Sequence, residues 1–408
     1  MTLETRFRML LPCAVVVALV AATAHAELAL PEGSDVTVGD IIAPGFHVNA
    51  AAGASSEDPG KLAVGGHDPN RDGFTLQGLE LNAAVHATEN LQAFAAYTFF
   101  WGTDEEEWGD EWEEYFVLLT GLPGGLEIRS GRLLNRFGLY NSTHQHAWSM
   151  VDQNLANARI LGEEGLATVG GDVTWYLPTS FFSAIALSYG EAPSHHHEES
   201  EKHGDDEDEG EEEHHEDAEE LGFENDFFSA TVYVQLDQEN DRQLSAVGSL
   251  AMGDNGFGEE TVIAALGLGR KWLHDGRPTH WQTELILRDY RADAGDSGSE
   301  FGVVTELIHD LNDRTKVGLR GGYVEGIDEL ELEERIRVSP VATFFLSEER
   351  NALLRLQYNY DDLEDGGSAH SGWLQFQYSF GLHGSELAHG RGDHTGCASC
   401  VGHAGHDH

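Results

Sequence analysis

The chain is predicted to fold as an all-β transmembrane antiparallel barrel of about 16 strands, a class made of in–out alternating strands joined by unequal loops. Three observations lead there. Apolar and polar residues alternate in strand-length segments across residues 46–380. The gaps between those segments switch regularly between tight polar turns and long loops. The chain also opens on a secretory signal: Arg6 and Arg8 precede an apolar run from Met9 to Val20, and Ala24–His25–Ala26 is a small-residue cleavage site.

Taken in order, residues 1–26 are the signal peptide and 27–45 a short periplasmic segment. The signal run is short for a spanning helix, which needs about 20 apolar residues, and no later run approaches that length. The barrel follows over 46–380, and a His/Cys-rich tail, 381–408, ends the chain.

The strand period is clearest near the end. Leu374, Phe376, Tyr378 and Phe380 alternate with Gln375, Gln377 and Ser379. Successive strand side chains point to opposite faces, so one face is apolar and the other polar. Phe227–Leu236 repeats the pattern, as does Asn351–Tyr360, with Ala352, Leu354, Leu356, Tyr358 and Tyr360 on one face. Aromatics gather near strand ends, the level of a bilayer interface.

Tight turns fall at Ala87–Asn90, Leu122–Gly125, Leu177–Ser180, Asp237–Arg242, His274–Pro278, Leu311–Arg314 and Ser347–Arg350. Long loops fall at Ser55–Asp72, Gly102–Glu113, Leu134–Gly165, Glu191–Asn225, Gly253–Glu259, Ala292–Ser299, Glu325–Glu334 and Asp361–His370. Seven turns and eight loops separate sixteen strands. An even count returns both ends to the periplasmic side and puts the long loops outside the cell. Hydrocarbon cannot satisfy a free sheet edge, so the sheet must close. The last strand ends at Phe380 in an aromatic run that resembles the insertion signal of outer-membrane proteins, although here the chain continues to His408. A bacterial outer-membrane location follows, with the apolar face against lipid.

With that face outward, Arg129, Glu284, Arg288, Glu306, Lys316, Arg320, Arg337 and Arg355 are predicted to line the lumen. Bases outnumber acids in this set, while the loops are strongly acidic. Charge ladders in a pore tune ion selectivity. Lumen arginines paired with inward-folded acidic loops are the equally weighted alternative. The third loop, Leu134–Gly165, is expected to fold inward as a constriction.

A net charge of −49 argues against nucleic acid as a partner and for attraction of cations. The candidate metal ligands fall in three places. Within the third loop, His144 and His146 are two apart, with Asp152, Glu163 and Glu164 nearby. Imidazole with carboxylate suits Zn²⁺, but a lone His-x-His is a weak signal. In the fourth loop, Ser194–Glu220 holds six histidines (His195, His196, His197, His203, His214 and His215) among fifteen carboxylates. It has no fixed zinc-site spacing and too few apolar residues to pack, so several weak, exchanging sites are expected. A solvated charge run is the plain alternative. In the tail, His394, Cys397, Cys400 and His403 recur at three-residue steps, followed by His406 and His408. The cysteines either complete a Cys₂His₂ zinc set or form a disulfide in the oxidising periplasm. No nucleophile–base pattern stands out, so no enzyme is expected.

Leu126–Asn141, with Gly131, Arg132, Phe137 and Gly138, resembles the strand-and-loop segment of the phosphate-selective porin group. The continuation Ser142–Pro178 is similar to outer-membrane proteins labelled zinc-regulated TonB-dependent receptors. The resemblance implies a zinc-linked role. An energised receptor, however, has an N-terminal plug and a barrel of about 22 strands. The residues from Glu27 to Phe46 are too few for a plug, so a porin-like channel is expected. The expected function is uptake of divalent metal, zinc first, with Ni²⁺, Cu²⁺ and Co²⁺ also suited to imidazole. A periplasmic metal carrier would receive the ion, and a homotrimer is expected by analogy with sixteen-stranded porins. An anion or general-solute porin and a TonB-dependent zinc receptor are the alternatives.

Overall fold

The computed structural model describes residues 41–57, 65–66, 68–101, 108–162, 164–193, 220–238, 242–292, 297–327, 332–363 and 367–381. His195, His196, His197, His203, His214 and His215 lie outside the described residues, as do Glu163, His394, Cys397, Cys400, His403, His406, His408 and the signal peptide.

Sixteen strands run in chain order: β1 (Ile42–Ser55), β2 (Gly73–His86), β3 (Leu91–Trp101), β4 (Trp108–Leu122), β5 (Leu126–Leu134), β6 (Ala167–Tyr176), β7 (Phe182–Glu191), β8 (Phe223–Gln238), β9 (Arg242–Asn255), β10 (Glu260–His274), β11 (Arg277–Arg291), β12 (Ser297–Asn312), β13 (Thr315–Val324), β14 (Arg335–Phe345), β15 (Ala352–Leu363) and β16 (Ser368–Phe380). Each pairs antiparallel with its sequence neighbours. β1 closes the barrel on β16, in register from Phe46 opposite Phe380 to Ser55 opposite Ser371. Every backbone ladder therefore has a partner strand, as hydrocarbon demands. The connections fall where the alternation puts them, with β1 beginning at Ile42 rather than Phe46, but three expected long loops shrink to residues 256–259, 292–296 and 364–367 because the flanking strands run further into them. The long loops, all on one rim, are numbered L1 to L8 in chain order.

The two faces differ as the period requires. Leu266, Leu356 and Leu374 point outward and are more than half exposed, whereas Gln357, Gln375 and Gln377 point inward and are buried. Near the long-loop rim, Tyr97, Phe99 and Trp112 make edge-on aromatic contacts, as do Trp101 and Trp108. Amphipathic rings prefer such interfacial positions.

Much of the interior packing comes from L3, residues 135–166. It leaves β5, crosses the lumen, and carries a single 3₁₀ turn (Gln145–Ala147) and a short helix, α1 (Leu155–Leu161), before reaching β6. Asn154 caps α1 through a 3.0 Å bond from the Asn157 amide to its side chain. The apolar side of α1 (Leu155, Ala156, Ile160 and Leu161), with Phe137, packs on Phe227, Ala251, Ile263, Ala265, Ile286 and Val324 of the wall. Gly302 lies directly beneath Ala156, where a side chain would crowd α1. Burying this patch sets the hydrophobic effect, about 25 cal/mol per Å², against the entropy of ordering a long loop.

The constriction and its histidine–carboxylate cluster

Hydrogen bonding fixes the rest of L3. Asp152 is its centre. The carboxylate accepts from Arg320, from Arg337 at 3.0 Å, from Gln357 at 2.5 Å and from Asn359 at 2.7 Å. Burial opposes ionisation of Asp152, but Arg320, Arg337 and Arg71 hold its carboxyl well below the ordinary range. Asp68 of L1 accepts from the neighbouring Gln153 amide at 2.7 Å. Burial, with the Asp152 charge beside it, pushes the Asp68 carboxyl up to about 7. Arg355 donates to the carbonyls of Trp148 and Met150 at 2.9 and 3.1 Å, and the Gln77 amide to that of Val151 at 3.1 Å.

All eight residues predicted to face inward do so, but they meet partners rather than open solvent. Arg129 binds Asp172. Arg288 pairs with Glu300 and reaches the Ile160 carbonyl at 3.4 Å. Arg320 and Arg337 share Asp152, and Arg337 also binds Asp361 at 2.7 Å. Glu284 accepts from the Leu139 amide, and Glu306 accepts from Ser149 at 2.6 Å. Lys316 sits 5.6 Å over the Phe345 ring. The basic excess read from the strands is thus compensated largely by L3 and neighbouring carboxylates.

His144 and His146 both point into the lumen, with ring centroids 5.5 Å apart. Of the carboxylates near them in sequence, Asp152 faces the arginines and Glu164 lies 3.3 Å from Arg132. Strand residues meet the histidines instead. The Nδ1 of His144 lies 2.8 Å from Glu113 and its Nε2 2.8 Å from Glu114. The Nδ1 of His146 lies 2.8 Å from Glu80, and its ring stacks on His47 at 3.7 Å, only 6° from parallel. Burial lowers the basicity of His144, yet the bonds to Glu113 and Glu114 hold it well above the ordinary value. Burial and the His144 charge push His146 down to about 3.

Two β-bulges build this cluster. Between β3 and β4 the register slips at Ala96 and Tyr97, so Glu113 is an extra residue and both it and Glu114 reach His144. Between β1 and β2 it slips at Asn49 and Ala50, so Gln77 is extra and the inward parity changes before Glu80. A bulge re-aims the side chains that follow it. Strict alternation therefore misses this acid set; the neighbouring glutamates at 113 and 114 are the signal that could have found it. His47 carries no such signal, because its meeting with L3 is long-range.

Beside L3 lies a cavity of about 80 Å³ whose lining includes Glu113, His144, Asp152, Glu306 and Arg320. A second, of about 50 Å³, is lined by residues including Arg136, Thr174 and Tyr233. Each is large enough for several water molecules.

No protein-family model matches the chain. An uncharacterised protein of Aquifex aeolicus is 30% identical over 122 residues, 29% of this chain and 24% of that protein. An anion-selective porin from Comamonas acidovorans matches with a TM-score of 0.56 at 14% identity, over 83% of this chain and 99% of that one. Pseudomonas putida OprB matches with a TM-score of 0.56 at 11% identity, over 84% and 95%. The trimer form of OmpT, a Vibrio cholerae outer-membrane protein, matches with a TM-score of 0.50 at 10% identity, over 84% and 100%. The chain is a closed sixteen-stranded barrel of porin-like fold, a protein of the bacterial outer membrane.

Proposed function

We propose that the protein is an outer-membrane channel through which divalent metal, zinc first, enters the periplasm. The observation that carries the reading is the cavity beside L3. It is about 80 Å³, and Glu113, His144 and Glu306, the residue types that attract a divalent cation, contribute to its lining. Ion pairing of Arg129, Arg288, Arg320 and Arg337 weakens the motive for an anion pore. In this reading Ser194–Glu220 gathers cations at the outer rim, and the tail from His394 to His408 delivers them to a periplasmic carrier. Weak outer sites suit the task, since ions must leave as well as enter. A homotrimer is the expected assembly.

A second reading, an anion or general-solute porin, draws on the inward arginines and on the likeness in fold to an anion-selective porin. Reversal potentials in planar bilayers separate the two. Cation selectivity, with current altered by micromolar Zn²⁺, supports metal uptake. Clear anion selectivity indifferent to Zn²⁺ rejects it. Growth on scarce zinc that requires the TonB system would favour an energised receptor instead.

A further inference from the structure

The cluster at the tip of L3 has the composition of a metal centre. His47 of β1, Glu80 of β2 and His146 of L3 place one ligand-type atom each within 4.8 Å of one another, and all three side chains are buried. Glu80, Glu113 and His144 form a second such set that shares Glu80. Their positions are framed on several sides. Asn82 donates to the other Glu80 oxygen at 2.7 Å, Gln377 donates to the His146 carbonyl at 2.5 Å, and Asn49 donates to Gln145 at 3.2 Å.

The two sets differ in what they can bind. Each His144 nitrogen already faces a carboxylate, Glu113 on one side and Glu114 on the other. That arrangement makes His144 a fastening for L3. The His47–Glu80–His146 set instead offers two imidazoles and one carboxylate, drawn from three separate elements. Three protein ligands of this kind suit a zinc-class ion and leave a fourth position for water. Calcium and magnesium need more oxygen ligands than the set provides.

Charge points the same way. Glu80, Glu113 and Glu114 bring three carboxylates into buried or nearly buried space. Arg129 stands 4.0 Å from Glu114 but is bonded to Asp172. His144 lies between Glu113 and Glu114 and offsets part of this negative charge, and a divalent cation beside Glu80 would offset the rest.

We propose that His47, Glu80 and His146 form a resident binding site for a divalent transition metal of the zinc class, which ties the tip of L3 to the β1–β2 wall. The choice of zinc rests on the metal-uptake reading; the ligand set does not depend on which way the pore selects. Binding requires the stacked His47 and His146 rings to turn out of parallel, so that a nitrogen of each points at the ion from about 2.0–2.2 Å.

The test is anomalous diffraction at the zinc edge from crystals of the full-length protein equilibrated with ZnCl₂. A peak among His47, Glu80 and His146 is expected. Bound zinc, measured by mass spectrometry of metals, should fall by one per chain in the double variant His47→Ala/His146→Ala. An empty position at saturating zinc, with peaks elsewhere, overturns the site without touching the bilayer result. Anion selectivity with the peak present rejects metal uptake and leaves the site standing. If the double variant fails to fold, the wild-type peak alone decides.

Discussion

Asp152 shows how much of the lumen depends on one side chain. It is buried and accepts from two arginines and two amides. Replacing it with Asn leaves two guanidinium groups facing a neutral partner. Breaking a buried pair of this kind costs about 3–5 kcal/mol, so Asp152→Asn should lower the urea midpoint of the detergent-solubilised barrel. Single-channel conductance should rise as L3 loosens; an unchanged midpoint and conductance would contradict this anchoring role. The acid dependence follows from the depressed carboxyl. Its stabilisation is present above the ordinary value of 3.8 and is lost as pH falls from there toward its lower folded value. Asp68 has the opposite sign. With its carboxyl raised to about 7, it detracts from stability as pH climbs from 3.8 through 7. Asp68→Asn should therefore raise the unfolding midpoint at about pH 9 and leave it unchanged near the bottom of that window. Equal effects at both pH values would reject the assignment.

At the level of elements, L3 depends on how it leaves β5. Gly138 has φ +62°, and a side chain there would run into the Glu284 carboxylate that receives the Leu139 amide. Gly138→Ala combines positive-φ strain, of order 1–3 kcal/mol, with that collision. It should reduce L3 order, read as faster proteolysis within 135–166 while the barrel ladder stays intact. This gives a physical reason for the aromatic–glycine pair Phe137–Gly138 singled out in the sequence. The acidic loop is a separable element under the uptake reading. Removing Ser194–Glu220 should leave single-channel conductance at high salt unchanged and impair growth under zinc chelation. Unimpaired growth would remove its collecting role.

On the scale of the whole molecule, the barrel is the wall and L3 the segment that crosses its lumen. A chain of net charge −49 would be expected to raise cation concentration at its mouth, an effect that fades with salt over a Debye length of about 8 Å. Cation over anion permeability should therefore decline between low and high KCl, whereas selectivity set only by the paired lumen would hold steady. The strand count, closure and face assignment were legible in the sequence because period-two alternation and loop spacing are local properties of the chain. The inward position of Arg129, Arg320 and Arg337 followed from that period alone. Their partners did not, because Asp152 meets Arg320 and Arg337 across 168 and 185 residues of sequence. The same is true of His146, which was readable as a candidate ligand, whereas His47 and Glu80 became its neighbours through barrel closure and a bulge that shifted the face of β2. Sequence alone thus determined the barrel and the inward side of the strands whose alternation is unbroken. Only the tertiary structure decided which of those charges cancel and which gather around His146, since long-range meetings depend on loop path and register, which no local pattern encodes.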